Sequence, residues 1–213
     1  LLGLIVMVGM VHAQNDTMYI MKQGAPIGKI RLSEIDTIVF YNPVPIPENI
    51  DIGNSTFLEM ATNAADYIGN HSNKIPSIIS NNDGTVKMNT ADFYYAMARW
   101  LRYYNTYNNA PKIVGIIRGI GAPSNPSYSG GSLNPTLSQI KMAGVYTANY
   151  IDSNKKVPNY HTIKGVYIDA SDLFYIFART LRWYKNNGSL PAQGASWYNT
   201  TPPDRWAEKN CWE

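Results

Sequence analysis

The sequence has little of the chemistry that most enzymes use. It contains one cysteine, Cys211, and three histidines among 213 residues. A single cysteine excludes an intramolecular disulfide and a cysteine-based metal cage. The histidine spacing matches neither a zinc site nor a nucleophile with its base. We therefore expect no catalytic residue, no metal site and no cofactor within these residues.

Charge of either sign is also scarce. The chain has 18 basic and 15 acidic residues, a formal net charge of +3. This balance is too mild for a surface that follows nucleic-acid phosphates, so we expect no nucleic-acid partner. Hydrophobic residues make up 45%, which is enough for a core. Tyrosine is the most common aromatic residue, with 16 copies, and its polar tip suits half-exposed positions of a binding surface.

The first 13 residues form an uncharged apolar run that ends at Ala13 and is followed by polar residues. The run is too short to span a bilayer, and it predicts a secretory signal that lacks its basic start. An apolar first strand is the alternative. On the signal interpretation, the mature protein begins near Gln14. We then expect it in the periplasm, at the cell surface or outside the cell, with no membrane insertion after cleavage.

Residues 14–41 predict a small β segment. Alternating residues around Gly24 favour a hairpin, and 38–41 adds a third short strand. The segment resembles one that follows the signal peptide in many secreted bacterial proteins. Three prolines at alternate positions then exclude a helix and predict an extended linker over 42–54.

Two runs of the sequence occur twice. Residues 65–76 return in similar form as 148–158, and 92–104 returns as 172–184. Such duplication is typical of modular proteins that bind something extended. The predicted segments after the linker are repeat unit 1 at 55–118, a Gly/Pro/Ser linker at 119–133, repeat unit 2 at 134–192 and a tail at 193–213, which is alternatively the start of a further domain.

Each unit has the pattern of a helix, a hairpin and a second helix. Asn-Asp-Gly at 82–84 and Lys-Gly at 164–165 are hairpin turns. The sequence therefore predicts an α+β fold, mainly α. It consists of tandem helix–β-hairpin–helix repeats preceded by a small N-terminal β-hairpin segment.

Residues at the predicted helix starts have capping side chains. Thr56 with Glu59, and Thr136 with Gln139, have the spacing of a capping box for the first helix of each unit. The second helices are predicted to begin after the N-caps Asn89 and Asp169.

The repeated string resembles the pseudomurein-binding repeat over roughly residues 55–192. The residues that fit in the first copy are Tyr67-Ile68, Asn70, Ile75-Pro76, Gly84, Phe93, Tyr95, Ala98 and Arg99. Those in the second are Tyr150-Ile151, Asn154, Val157-Pro158, Gly165, Leu173, Tyr175, Ala178 and Arg179. The resemblance implies a non-catalytic module that attaches a protein to a cell-wall polymer, often ahead of a transglutaminase-like cysteine peptidase domain. Because the N-terminal segment is of bacterial type, the polymer stays open among pseudomurein, peptidoglycan and other glycans.

One face of each second helix carries the candidate ligand-binding residues. An aromatic ring and two guanidinium groups at i, i+4 and i+7 suit stacking on a sugar and binding of carboxylates. The candidates are Tyr95, Arg99, Arg102, Tyr175, Arg179 and Arg182, with Asn70 and Asn154 in the turns. Alternatively, the arginines pair with acids on a facing helix, such as Asp66 or Asp152, and are structural.

The sequence supports three functional hypotheses. The first is a secreted, non-catalytic module that binds a cell-wall polymer or surface glycan. The second is the targeting part of an exported wall-lytic peptidase whose catalytic domain lies beyond Glu213. The third is a protein-interaction or adhesin module. None places an enzyme within these residues.

Overall fold

The structure, a computed structural model, describes residues 17–22, 25–31, 49–125, 134–194 and 199–207. The chain divides into two units, residues 1–46 and 47–213. In the first, β1 (Thr17–Lys22) pairs with β2 (Ala25–Arg31) in an antiparallel hairpin. This confirms the hairpin predicted around Gly24. The predicted signal at 1–13, the third strand at 38–41 and Cys211 lie outside the described residues.

In the described part of the second unit, four helices combine with three two-stranded antiparallel sheets, which agrees with the predicted mixture of helix and small sheets. The helices are α1 (Asn54–Asn70), α2 (Thr90–Tyr107), α3 (Leu137–Asn154) and α4 (Ala170–Asn187). The strands are β3 (Asn49–Gly53), β4 (Ile78–Ser80), β5 (Lys87–Asn89), β6 (Ile113–Ile117), β7 (Tyr160–Ile163) and β8 (Val166–Asp169). The pairs are β3 with β6, β4 with β5 and β7 with β8. The order helix, hairpin, helix therefore occurs twice.

This unit has two halves, the first with helices α1 and α2 and the second with helices α3 and α4. Each helix packs mainly against a helix of the other half. Helix α1 lies against α4, and α2 lies against α3. Helices α2 and α4 meet in the middle and run parallel, because Tyr94 contacts Phe174 near both helix starts and Tyr104 contacts Tyr184 near both ends. The two halves consequently share one hydrophobic core. Complete burial of a side chain such as Phe57 stabilises the fold by about 1.5–3 kcal/mol.

Each half extends one segment that forms backbone hydrogen bonds with the other half, and we call these the exchanged segments. The stretch after α2 pairs with the turn after α3, and the stretch after α4 pairs with the turn after α1. The bonds run from Gly121 N to Lys155 O (2.8 Å), from Val157 N to Gly121 O (2.9 Å), from Thr201 N to Asn73 O (2.9 Å) and from Ile75 N to Thr201 O (3.0 Å). These backbone hydrogen bonds therefore hold the two halves together.

A buried carboxylate anchors each exchanged segment. Asp92, in the first turn of α2, accepts a hydrogen bond of 2.9 Å from the backbone N–H of Ile120. Asp172, in the first turn of α4, accepts one of 2.8 Å from the N–H of Thr200. Both side chains also lie near the positive end of a helix dipole, which offsets part of the cost of burying a charged group.

The start of α1 differs from the prediction. Residues 49–53, assigned to the linker, form β3, because Ile52 packs into the core and the strand pairs with β6. Helix α1 then begins at Asn54, so Gly53 is its N-cap and no side chain caps it. The capping box predicted at Thr56 and Glu59 is therefore wrong. The one at Thr136 is confirmed, as are the N-caps Asn89 and Asp169.

Parts of the predicted second linker and tail belong to the core. Ile120, at the start of the 119–133 segment, is buried. Trp206 in the predicted tail is also buried, and its carbonyl accepts a hydrogen bond of 2.8 Å from Ala91 N at the start of α2. Clusters of Gly, Pro and Ser predicted loose segments. Backbone hydrogen bonds to the other half nevertheless hold parts of these segments in a defined position.

Candidate functional site

The two candidate tyrosines lie inside the protein. Tyr95 is 2% exposed and Tyr175 is 7% exposed. Both side chains project from the central helices α2 and α4 toward the outer helices, and a Cβ at Gly69 of α1 would lie 3.6 Å from the Tyr175 hydroxyl. Neither ring therefore presents a face on which an external sugar could stack.

A hydrogen-bonded cluster surrounds Asp152 on α3. Its carboxylate accepts hydrogen bonds from the hydroxyl of Tyr95 and, at 2.5 Å, from the guanidinium of Arg102. Arg102 also donates to Asn149, at 2.7 Å. Burial favours the neutral acid, but the Tyr95 and Arg102 hydrogen bonds and the charges of Arg102 and Arg99 outweigh it and lower the pKa of Asp152. Burial, followed by the interaction with Asp152, raises the pKa of Tyr95 to about 12.

The other half contains the corresponding ion pair. Arg182 of α4 donates a hydrogen bond to Asp66 of α1. Gly69 occupies the place in α1 that Asp152 occupies in α3, so α1 offers no second carboxylate there. The alternative interpretation of the arginines was that they pair with Asp66 or Asp152 on a facing helix. Both of these ion pairs are present.

The remaining two arginines lie beside the buried tyrosines. The guanidinium carbon of Arg99 is 5.6 Å from the ring centre of Tyr95, and that of Arg179 is 5.4 Å from the ring centre of Tyr175. These are cation–π distances. Arg99 also donates a hydrogen bond of 2.7 Å to the carbonyl of Gly115 in β6. Sheet β3–β6 thereby fixes the side chain of Arg99.

Two grooves open beside the C-terminal halves of α2 and α4, and equivalent residues line them. The first is lined by Arg99, Arg102, Tyr103, Thr106 and Pro111, among others. The second is lined by Arg179, Arg182, Trp183, Asn186 and Pro191, among others. Each residue of the second set lies 80 positions after its counterpart in the first. The structure thus brings the four candidate arginines to two equivalent surfaces.

The two grooves differ in size. The first has a volume of about 310 Å³ and the second of about 820 Å³. Trp100 lines the first groove, whereas the much smaller Thr180 is its counterpart in the second.

The exposed aromatic residues of the grooves were not among the sequence candidates. Tyr103 is 40% exposed and Trp183 is 50% exposed. Each follows a groove arginine by four residues, Tyr103 after Arg99 and Trp183 after Arg179, so the two side chains share a helix face. That spacing was visible in the sequence. The sequence does not show which ring on that face, Tyr95 or Tyr103, stays exposed.

Asn70 and Asn154 lie away from both sets of groove-lining residues. They are exposed at the ends of α1 and α3. Asn154 donates a hydrogen bond of 2.8 Å to the carbonyl of Tyr150, one turn back in the same helix. The structure does not bring these asparagines together with the arginines.

The described part of the chain holds no group of three or more His, Cys, Asp or Glu side chains that could bind a metal ion. His71 stacks on Tyr67 with ring centres 3.8 Å apart, and His161 lies against Tyr146 at 4.4 Å. Burial lowers the pKa of His161. Among the helices that the structure describes, none is sufficiently long and apolar to cross a membrane.

Among the described residues, three buried carboxyl groups have raised pKa values, and these three lie at the starts of α2 and α4. Burial raises the pKa of Asp92 to about 6 and that of Asp169 to about 7. Burial also raises the pKa of Asp172, which in turn raises that of Asp169 by charge repulsion. All three accept backbone or capping hydrogen bonds, so we assign them to structure.

Comparison with known proteins adds no relative. No protein-family model matches the chain, and a search of curated proteins finds no similar sequence.

Proposed function

We propose that this chain is an exported, non-catalytic module that binds a cell-wall polymer or surface glycan, and that its two halves are copies of one unit. The pair of grooves beside α2 and α4 is the observation that carries the proposal. The same residue types, two arginines followed by an exposed aromatic residue, line each groove.

Equivalent grooves suit a repetitive ligand. A polymer offers the same chemical unit many times, so two sites on one rigid core can bind two units of one strand or of neighbouring strands. Linking two weak sites in this way increases the overall affinity without any new contact. Because the exchanged segments and the shared core hold both halves together, the spacing of the sites is fixed.

The resemblance to the pseudomurein-binding repeat agrees with this location. Arg99 and Arg179, which belong to the repeated string, line the grooves. Tyr95 and Tyr175 of the same string lie directly beneath them. The repeated residues would then have two roles. The tyrosines pack the helices, and the arginines place a guanidinium group at each groove wall.

The test is retention of the chain from Gln14 to Glu213 on purified wall sacculi and on soluble glycans. Exposed groove positions allow a matched set of variants. Thr106→Trp with Asn186→Trp adds a large side chain inside each groove, and Met142→Trp adds one on the exposed face of α3. We expect the first variant to lose retention and the second to keep it. Absence of retention on every wall and glycan tested would refute the proposal.

Export and the rival functions need separate measurements. N-terminal sequencing of the protein recovered outside the cytoplasm is expected to begin near Gln14. A peptidase-targeting role requires a catalytic domain encoded beyond Glu213, which the gene sequence decides. An adhesin role predicts a protein partner whose binding survives competition by soluble glycans.

A further inference from the structure

The groove arginines already have carboxylate partners within the protein. Arg102 pairs with Asp152 at 2.5 Å, and Arg182 pairs with Asp66. The side chains of both pairs remain partly exposed, 30% and 41% for the first and 31% and 52% for the second. Asp66 lines the second groove together with Arg182, and Asp152 bonds the Arg102 guanidinium that lines the first groove. Each groove therefore has a guanidinium group whose carboxylate partner is partly exposed to solvent.

A pair of this kind suits a hydroxyl group better than an acid. A hydroxyl donates one hydrogen bond and accepts others, so it can bind the carboxylate and the guanidinium together. A ligand carboxylate only accepts, and it would approach the negative charge of Asp66 or Asp152. The remaining arginines are also engaged, since Arg99 bonds the Gly115 carbonyl and Arg179 lies over Tyr175.

The exposed ring in each groove provides the complementary apolar surface. Tyr103 and Trp183 directly follow Arg102 and Arg182 in the sequence and line the same grooves. Such side chains have a flat apolar body and a polar tip, so they bind best at a partly wet surface. A sugar ring has the matching character, with C–H groups on its faces and hydroxyls around its edge.

We infer that the grooves recognise uncharged, hydroxyl-bearing sugar rings of the polymer and not its carboxylate groups. This inference rests on the proposed function and specifies the ligand of the same two grooves. It replaces the sequence-based expectation that the arginines bind carboxylates of a wall peptide or uronic acid. The acidic ligand becomes the alternative that an experiment must exclude.

The experiment compares two forms of one polymer, untreated sacculi and sacculi whose carboxylates have been converted to methylamides with a carbodiimide. Retention of the chain from Gln14 to Glu213 on the two forms is expected to agree within about twofold and to survive about 0.5 M NaCl, which screens exposed charges strongly. Stem peptides released from the wall by an amidase are expected not to compete. A loss of about tenfold or more on the amidated form, steep loss with salt, or competition by the peptides would overturn the inference.

A charge-removing variant tests the role of the ion pairs. Asp66→Asn with Asp152→Asn keeps the side-chain size but removes the carboxylate partners of both groove arginines, Arg182 and Arg102. The inference predicts weaker retention on both forms of sacculi, by about threefold or more, because a neutral amide is a poorer acceptor than a carboxylate. Stronger retention on untreated sacculi would contradict it and favour an acidic ligand. Thermal unfolding of the variant checks that the fold is retained.

The two proposals fail in different ways. If the protein is retained on neither form of sacculi and on no soluble glycan, the proposed function falls and the inference falls with it. Retention on untreated sacculi alone leaves the proposed function standing and overturns only the sugar specificity.

Discussion

The carboxylate of Asp152 binds the guanidinium of Arg102 at 2.5 Å and thereby joins helix α3 to helix α2. The Arg182–Asp66 pair joins α4 to α1 in the same way. The arginines that the sequence offers as ligand-binding groups thus also hold the helices together. In the proposed function they do both, because the arginine of each pair lines a groove.

The two acids are expected to contribute unequally to stability. Asp152→Ala should lower the free energy of unfolding by roughly 1–2 kcal/mol, since it leaves the hydroxyl of the buried Tyr95 without this acceptor. Asp66→Ala should cost under about 1 kcal/mol, as is usual for a partly exposed ion pair. Urea unfolding measures both values.

A second substitution checks the reason for this difference. Adding Tyr95→Phe to Asp152→Ala removes the stranded hydroxyl and should recover part of the lost stability. If the double variant is as unstable as the sum of the two single variants, the Tyr95–Asp152 hydrogen bond is not the cause.

The buried carboxylates predict a pH dependence. The pKa of Asp169 is raised to about 7 and that of Asp92 to about 6, above the ordinary value of 3.8. A raised folded-state pKa means that the folded protein binds the proton more tightly than the unfolded chain does. The contribution to stability is therefore complete below about pH 4 and is lost as the pH rises through about 6 for Asp92 and about 7 for Asp169.

Asp169→Asn isolates one part of this effect. Asparagine caps a helix as well as aspartate does, but it does not ionise. The variant should therefore equal the wild-type protein in free energy of unfolding below about pH 4 and exceed it by about 1 kcal/mol or more near about pH 8. Parallel pH profiles for the two proteins would show that Asp169 titrates normally.

The sequence pattern and the structure disagree on whether Thr56 caps helix α1, and a pair of substitutions tests this. Thr136 caps α3 with its side chain, whereas Thr56 lies within the first turn of α1. Thr136→Ala should lower the free energy of unfolding by about 1 kcal/mol, and Thr56→Ala should change it by less than about 0.5 kcal/mol. Equal losses would contradict the assigned start of α1.

Much of the fold could be predicted because it depends on local signals. The hairpin turn at 164–165 and the N-caps Asn89 and Asp169 define their elements within a few residues. The pairing of β3 with β6 could not be predicted, because its partners lie some sixty positions apart, Ile52 opposite Val114. The crosswise exchange of segments also depends on contacts between residues far apart in the sequence, Gly121 with Lys156 and Lys74 with Thr201.

The candidate site was predictable in part for the same reason. Helical spacing correctly placed Arg99 and Arg102 together on one side of α2. It could not show that α3 covers the ring of Tyr95, because burial depends on which helix packs against that face. Because the sequence also could not show that Tyr103 stays exposed, Tyr103 was not among the candidate residues.

The helix ends allow a matched pair of substitutions at equivalent positions. Asn108 ends α2 and Gly188 ends α4, both in the left-handed conformation with φ of 51° and 70°. Asn108→Gly should stabilise the protein by a few tenths to about 1 kcal/mol, and Gly188→Ala should destabilise it by about 1 kcal/mol. A Cβ at Gly188 would meet no atom within 4 Å, so only backbone strain would account for the loss.

The most direct test of the proposed grooves is retention on wall sacculi of two double variants that each remove two exposed aromatic rings. Tyr103→Ala with Trp183→Ala removes the groove rings, and Tyr160→Ala with Tyr167→Ala removes two rings of similar exposure from the β7–β8 hairpin. With both variants folded, we predict that the first loses about tenfold or more in affinity while the second binds like the wild-type protein. Unchanged retention of the groove variant would contradict the account.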